Sequence, residues 1–256
     1  MSTELTPVHD GQPHDEGHWA NTSTLRVGRI PTGALNLNVD GRHALSPLQG
    51  FGQLWQKTFR IRLAEVSASP SEVINEWKAN FPTFWPKWQH YYLPGGGIQP
   101  GEVALINFVI PGNSPVGLPL ATAVQVIYSD DESFTFTTPQ GHMFAGWNTF
   151  SAYADDDGCV VAQIRLQVRA NDFAYELGFR LGATRTENKM WCDALIALAA
   201  HFGVTGTVKS EIICLDPRVQ WSQFWNIWQN AAIRTFFYRV FTPFRLVMRK
   251  NKTYVS

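Results

Sequence analysis

Residues 160–168 constrain the chain most, because apolar and polar side chains alternate there. Val160, Ala162, Ile164, Leu166 and Val168 share one parity, and Gln163, Arg165, Gln167 and Arg169 share the other. A repeat of two is the signature of a strand with one face buried. The run before it, residues 145–154, is joined to it by Asp155-Asp156-Asp157-Gly158, residue types that tolerate the positive φ of a tight turn. The two runs are expected to pair antiparallel. After Arg169 the period changes to that of a helix, with Asn171 or Asp172 as its N-cap, Met190, Trp191, Ala194, Leu195, Leu198 and Phe202 on one face, and Gly203 as its stop. Gly178 and Gly182 interrupt the first half, where each costs about 1 kcal/mol relative to Ala, so a bend or short break is expected there. His201, near the end of this helix, is placed to interact with its C-terminus.

Other elements follow from local signals. Trp55, Phe59, Ile61 and Leu63 alternate with Gln56, Thr58, Arg60 and Arg62, predicting the first strand of the sheet over 54–63. Ser69-Pro70-Ser71-Glu72 is a capping box with Pro in the first turn, so a helix runs from there to about Phe81. Pro82 and Pro86 in FPTFWPKW end it in a rigid aromatic turn. Strands are expected over 102–110, 120–128 and 133–138, with loops over 93–101 and 111–119. Gly95-Gly96-Gly97 lacks the lysine and the strand-to-helix setting of a phosphate loop. Residues 1–22 have little to bury and read as disordered, with His9, His14 and His18 as solvated side chains rather than a metal tract.

The 256 residues are 45% hydrophobic, enough for a sizeable core. No run is long and apolar enough for a membrane span, and no signal or transit peptide is expected at the start. Three cysteines, Cys159, Cys192 and Cys214, have neither disulfide nor zinc spacing, so a cytoplasmic setting is expected. The net charge of zero hides an asymmetry: residues 204–256 carry eight Lys or Arg against Glu211 and Asp216. This basic tail is the part that would meet an anionic surface, giving a cytoplasmic and membrane-associated expectation.

The element order, together with Thr138-Pro139, Gly141-His142, Gly146, Phe150, Asp157-Gly158, Ile164-Arg165 and Arg169-Ala170, resembles an uncharacterised family of START-like domains. Gly50-Phe51-Gly52 and Phe84-Trp85-Pro86 fit the same pattern. The resemblance implies an α+β helix-grip fold, a curved antiparallel sheet wrapped around a long C-terminal helix, over residues 35–203. An N-terminal arm (1–34) and an aromatic, basic tail with an amphipathic helix (204–256) flank it. One departure is that Trp147 and Asn148 stand where relatives tend to carry acidic residues, which weakens an acid–base role there.

The resemblance further implies a cavity between sheet and helix that binds a hydrophobic small molecule, a lipid, polyketide or similar. Carriage of that molecule is the first reading, and a cyclase- or hydrolase-type reaction in the same cavity is the alternative; no cofactor and no metal are implied. Ligand contacts are expected from His142, Trp147, Phe150, Tyr153, Arg165, Glu176, Phe179, Arg180 and Trp191. His142 is the one candidate general base, although no nucleophile motif accompanies it. Arg165 and Arg169 lie on the polar side of their strand, where solvent exposure competes with anchoring of an oxyanion. Glu176 and Arg180, four apart on a helix, suit an ordinary ion pair.

In the tail, a helical wheel from Trp221 gathers Trp221, Phe224, Trp225, Ile227, Trp228, Ala231 and Ala232 on one arc, opposite Ser222, Gln223, Asn226, Gln229 and Asn230. Beyond it come Arg234, Phe236, Phe237, Arg239, Phe241, Phe244, Arg245, Arg249, Lys250 and Lys252. Trp221, Phe224, Trp225 and Trp228 need a cover, and three fit: the parent domain, a second copy in a homodimer, or peripheral contact with a membrane. Nucleic acid does not fit, because the segregated arc carries no charge.

Overall fold

The computed structural model describes residues 16–64, 66–110 and 118–252. Their elements are β1 (Ala44–Leu45), β2 (Leu54–Leu63), α1 (Pro70–Asn80), β3 (Gln89–Tyr92), β4 (Val103–Ile110), β5 (Leu118–Ser129), β6 (Ser133–Pro139), β7 (Phe144–Ala154) and β8 (Val160–Ala170). After them come α2 (Phe173–Gly178), a π-turn (Phe179–Ala183), α3 (Thr184–His201), β9 (Lys209–Asp216), a 3-10 segment (Trp221–Gln229) and α4 (Ala231–Lys252).

The strands build one antiparallel sheet in the order β3-β4-β5-β6-β7-β8-β2-β9, with β1 added to β6. The first long strand thus returns beside the last one of the meander. α1 and α3 cover a single face of this sheet and share its core, which is the α+β helix-grip arrangement. The β7–β8 register sets Phe150 opposite Ile164 and Trp147 opposite Gln167. The even parity of both strands therefore points at the helices. Their turn is tied by Asp155, whose Oδ1 accepts from the N–H groups of Asp157 at 3.1 Å and Cys159 at 3.0 Å.

Local chemistry fixes the helices. Ser69 Oγ accepts from Glu72 N–H at 3.3 Å, and the Glu72 carboxylate returns to Ser69 N–H at 2.7 Å; such caps contribute about 1 kcal/mol. Asp172 caps α2 by accepting from Ala174 N–H at 2.9 Å and Tyr175 N–H at 3.1 Å. The helix then breaks over 179–183 with Gly182 at φ 120°, while Gly178 keeps helical geometry at φ −58°, so the interruption turns on Gly182. His201, in the last turn of α3, also bonds to Glu76 of α1 at 3.1 Å.

Much of the interior is filled by aromatic rings. Phe81, fully buried, lies 5.1–5.8 Å from the rings of Tyr91, Phe136, Phe150, Trp85 and Phe134. Phe134 and Phe150 stack at 4.8 Å, and Trp77 meets both edge-on.

Three boundaries differ from the sequence reading. Residues 1–15, with His9 and His14, lie outside the described residues, but the rest of the expected N-terminal arm is held against the sheet at a few points. Leu25 is fully buried with Val39, Val103, Leu105 and Ala123 on the sheet face away from α3. His18 Nδ1 lies 2.8 Å from the Ser129 carbonyl, and Trp19 packs against Tyr128 at 4.7 Å. At the other end, β9 pairs with β2, so the sheet extends past 203 to Asp216; without β9 the second edge of β2 would be unpaired. The short β3 is a further strand, between the expected aromatic turn and the loop over 93–101, where the sequence assigns no element.

The tail is anchored at its middle. Asn226 Nδ2 donates to the carbonyls of Gln49 and Asn171, each at 2.9 Å. Asn230 Nδ2 donates to Asp172 at 2.8 Å, and Ala231 N–H donates to Gly141 O at 2.9 Å. Gly141 is needed there, because a Cβ would sit 2.1 Å from the Gln229 carbonyl. The first turn of α4 then covers a free part of the β5 edge: Ala121 N–H donates to Thr235 Oγ1 at 3.2 Å.

Candidate functional site

A cavity of about 90 Å³ lies between the sheet and α3. Its apolar wall comes from Trp88 and Tyr91 at β3, Ile106 and Phe108 on β4, Val124 on β5, and Met190 and Trp191 on α3. The β6–β7 turn closes it with His142, Met143 and Phe144, and the π-turn with Phe179 and Ala183. Polar groups reach it from Gln89, Asn148, Thr186 and Glu187.

Phe179 also lines two adjoining cavities of about 230 Å³ each. One runs toward Trp55, Lys57, Glu176, Arg180 and Asn188; the other runs toward Tyr175, Gly178, Ala232 and Ile233 at the start of α4. The ring stacks on Phe144 at 4.7 Å. It sits on the π-turn that interrupts the helix, the kind of irregularity that often marks a functional site.

Three buried polar groups face the first cavity. His142 is 6% exposed, and its Nδ1 lies 3.0 Å from the donating N–H of Phe144 and 3.3 Å from that residue's carbonyl. The shorter contact makes Nδ1 an acceptor and leaves the proton on Nε2. Burial pushes His142 down to about 4, only partly offset by the Phe144 carbonyl. It is a neutral imidazole at ordinary pH. Asn148 Oδ1 and Gln89 Oε1 are buried and have no hydrogen-bond partner among the described residues. An unpaired buried acceptor costs about 1–3 kcal/mol, so these oxygens are ready to receive a donor.

A buried ion pair links the walls of the first two cavities, with Glu187 lining one and Lys57 the other. Lys57 Nζ, on the inward parity of β2, meets Glu187 on α3, and also donates to Asn188 Oδ1 at 2.9 Å. The other Glu187 oxygen accepts from Trp191 Nε1 at 2.7 Å.

Of the residues expected at the site, the structure brings His142, Phe179 and Trp191 to the first cavity, and Phe179, Glu176 and Arg180 to its neighbour. Glu176 and Arg180 form the ordinary i,i+4 pair at 2.8 Å. Phe150 points inward but belongs to the aromatic core and does not line the cavity. Trp147, Tyr153 and Arg165 are corrected: all three have the odd, outward parity, and the sheet does not turn them in. Trp147 and Arg165 line an open groove of about 610 Å³ on the opposite face, beside Trp19, Thr149 and Gln163. Arg169 is buried, and it bonds Gly52 O at 2.7 Å, Arg218 O at 3.0 Å and Asp216 at 2.7 Å, so it anchors β9 and not a ligand.

Lys57, Gln89 and Glu187 are not among the residues the sequence marks for the site, and Asn148 stands out in it only as a non-acidic residue. A signal existed for two of them. Lys57 shares the parity of Phe59 and Ile61, and Glu187 precedes Trp191 by one helical turn, so each places a charge in an apolar register. Among the described residues no cluster of His, Cys, Asp and Glu could hold a metal ion.

No protein-family model and no curated protein matches this sequence. Solved structures resemble part of the chain at low similarity. A conserved protein from Geobacillus kaustophilus is 8% identical over 60% of this chain and 98% of its own, with a TM-score of 0.43. The di-domain ARO/CYC StfQ from the steffimycin biosynthetic pathway is 10% identical over 59% of this chain and 53% of its own, with a TM-score of 0.41. The ginseng major latex-like protein 151 from Panax ginseng is 19% identical over 59% of this chain and 99% of its own, with a TM-score of 0.32. The chain's own strand order and gripping helix carry the fold assignment.

Proposed function

We propose that the protein binds a small, mostly apolar molecule in the space between the sheet and α3. The ligand would bear one hydrogen-bond donor for Asn148 Oδ1 and Gln89 Oε1 and one acceptor for the Nε2–H of His142. The observation that carries this reading is Phe179, a single ring on an irregular turn that forms a common wall of three cavities. The first cavity alone, at about 90 Å³, admits only a few atoms. With the ring swung aside, the three spaces join into one of the size that usually holds a ligand, roughly 300–1,000 Å³. Lipids and aromatic polyketides fall in that range. A cyclase- or hydrolase-type reaction gains nothing from the arrangement of His142, whose Nδ1 is occupied and whose Nε2 carries the proton, so it orients a ligand by donating.

Fluorescence titration with N-phenyl-1-naphthylamine tests this. Phe179→Ala, which removes the partition, should bind the probe at least about tenfold more tightly than the parent chain. Ala183→Phe, which fills the junction of two cavities, should abolish binding without loss of fold by circular dichroism. Equal probe binding by all three proteins would reject the site.

A further inference from the structure

We infer that the tail presents a docking face for an anionic lipid bilayer, formed by the outward tryptophans of the 3-10 segment and the outward stripe of α4. The inference is independent of the interior cavity. It starts from an inversion of the usual order. In the 3-10 segment the amides point at the domain, where Asn226 and Asn230 hold backbone carbonyls and Asp172. Trp221, Trp225 and Trp228 are 67%, 68% and 73% exposed. The parent domain, one of the three covers expected, therefore leaves Trp225 and Trp228 open and meets Trp221 only edge-on, at Phe51 (5.5 Å), where Phe224 also packs (6.3 Å).

α4 repeats the inversion over its described side chains. Ala231, Thr235, Tyr238 and Thr242, spaced as one helical stripe, face the body. Ile233, Phe236, Phe237, Val240 and Phe241 are between 38% and 50% exposed, and they occupy the opposite side of the wheel. Exposed Phe173 of α2 lies beside Phe224, with ring centroids 6.1 Å apart, so the apolar surface extends beyond the tail. Contiguous apolar surface of this extent on a water-soluble chain marks an interaction site.

Charge selects the occupant. Residues 217–252 hold seven Lys or Arg and no Asp or Glu, and Arg234 and Arg239 are exposed on either flank of the α4 stripe. A symmetric pairing of two copies through this face would set those charges against their own kind, whereas anionic headgroups complement them. Tryptophan and phenylalanine beside arginine is the composition of helices that lie in the interfacial plane. No helix among the described residues is long and apolar enough to cross a membrane, so α4 would lie in that plane.

Flotation of the full chain with vesicles of phosphatidylcholine, alone or with roughly one-third phosphatidylglycerol, tests the inference. Binding to the anionic vesicles is expected, falling steeply as salt is raised, since each basic residue near the surface contributes about fivefold and is screened. Trp225→Ser/Trp228→Ser and Arg234→Glu/Arg239→Glu should each weaken partitioning by at least about tenfold. All four side chains are exposed, so both variants should keep the parent melting temperature. Failure of the parent to float with anionic vesicles would overturn the inference, as would equal flotation of parent and variants. A dimer by light scattering that Trp225→Ser/Trp228→Ser dissociates would overturn it in favour of a second copy.

Discussion

Removing one member of the Lys57–Glu187 pair should cost far more than removing both. Lys57 is 5% exposed and Glu187 6%, so neither charge has water to fall back on. In Lys57→Met the Glu187 carboxylate keeps only the Trp191 Nε1–H as a partner; in Glu187→Gln the Lys57 ammonium keeps only the Asn188 oxygen. Each single change leaves a charge uncompensated in the interior, which costs about 3–5 kcal/mol, a large part of the roughly 5–15 kcal/mol that holds a domain together. The double variant leaves no such charge, because the introduced glutamine can still accept from Trp191 and the introduced methionine fills the space of the lysine stem. It should therefore cost at least about 2 kcal/mol less than the two singles summed. Urea unfolding followed by intrinsic fluorescence measures all four corners of the cycle. Additive losses, or single losses below about 1 kcal/mol, would show that the pair is solvated and refute its description as buried.

Other perturbations have equally definite outcomes. His142 folds with its value pushed down to about 4 from 6.5, so its contribution to stability is complete above 6.5 and is lost as the pH falls to about 4. His142→Gln should flatten that part of the stability profile by about 3 kcal/mol and leave N-phenyl-1-naphthylamine affinity within about tenfold of the parent; an unchanged profile would mean that the imidazole is solvated. Asp216 is held below its ordinary value of 3.8, first by the Arg169 hydrogen bond, so its contribution is complete above that value and is lost as the pH falls below it; the difference in urea midpoint between the parent and Asp216→Asn should shrink on acidification. Gly146 has φ 147°, and a Cβ there would lie 2.1 Å from the Gln167 carbonyl, so Gly146→Ala should lower stability by about 3 kcal/mol or more, read as a fall in thermal midpoint.

What was legible in the sequence was whatever has a local cause. The parity of residues 160–168, the capping box at Ser69 and the glycines at 178 and 182 all act within a few residues, and the structure follows them. Strand β9 gives no such signal: Ile212, Ile213 and Leu215 are each more than 40% exposed, so burial imposes no alternation, and the strand exists because β2 has an edge to pair. The buried Lys57 and Glu187 are visible only as a pair, since each looks like a surface charge until the sheet and helix face each other. Trp147, Tyr153 and Arg165 are drawn toward the cavity by residue type, although parity already assigns them to the outer face. In the tail the segregation of apolar and polar residues was legible, but its direction was not. Asparagine side chains that satisfy backbone carbonyls of the domain dock part of the polar side together with Phe224, Ala231 and Ala232, leaving Trp225 and Trp228 outward, and the 3-10 segment with its break at Asn230 replaces a continuous α-helix.

The central claim is that the space around Phe179 holds a molecule, and native mass spectrometry of the purified full chain tests it most directly. The account predicts a bound apolar species, released on denaturing extraction and absent from Ala183→Phe purified in the same way. A parent chain that carries no adduct, and takes up none when reloaded from a panel of fatty acids and aromatic polyketides, would contradict it.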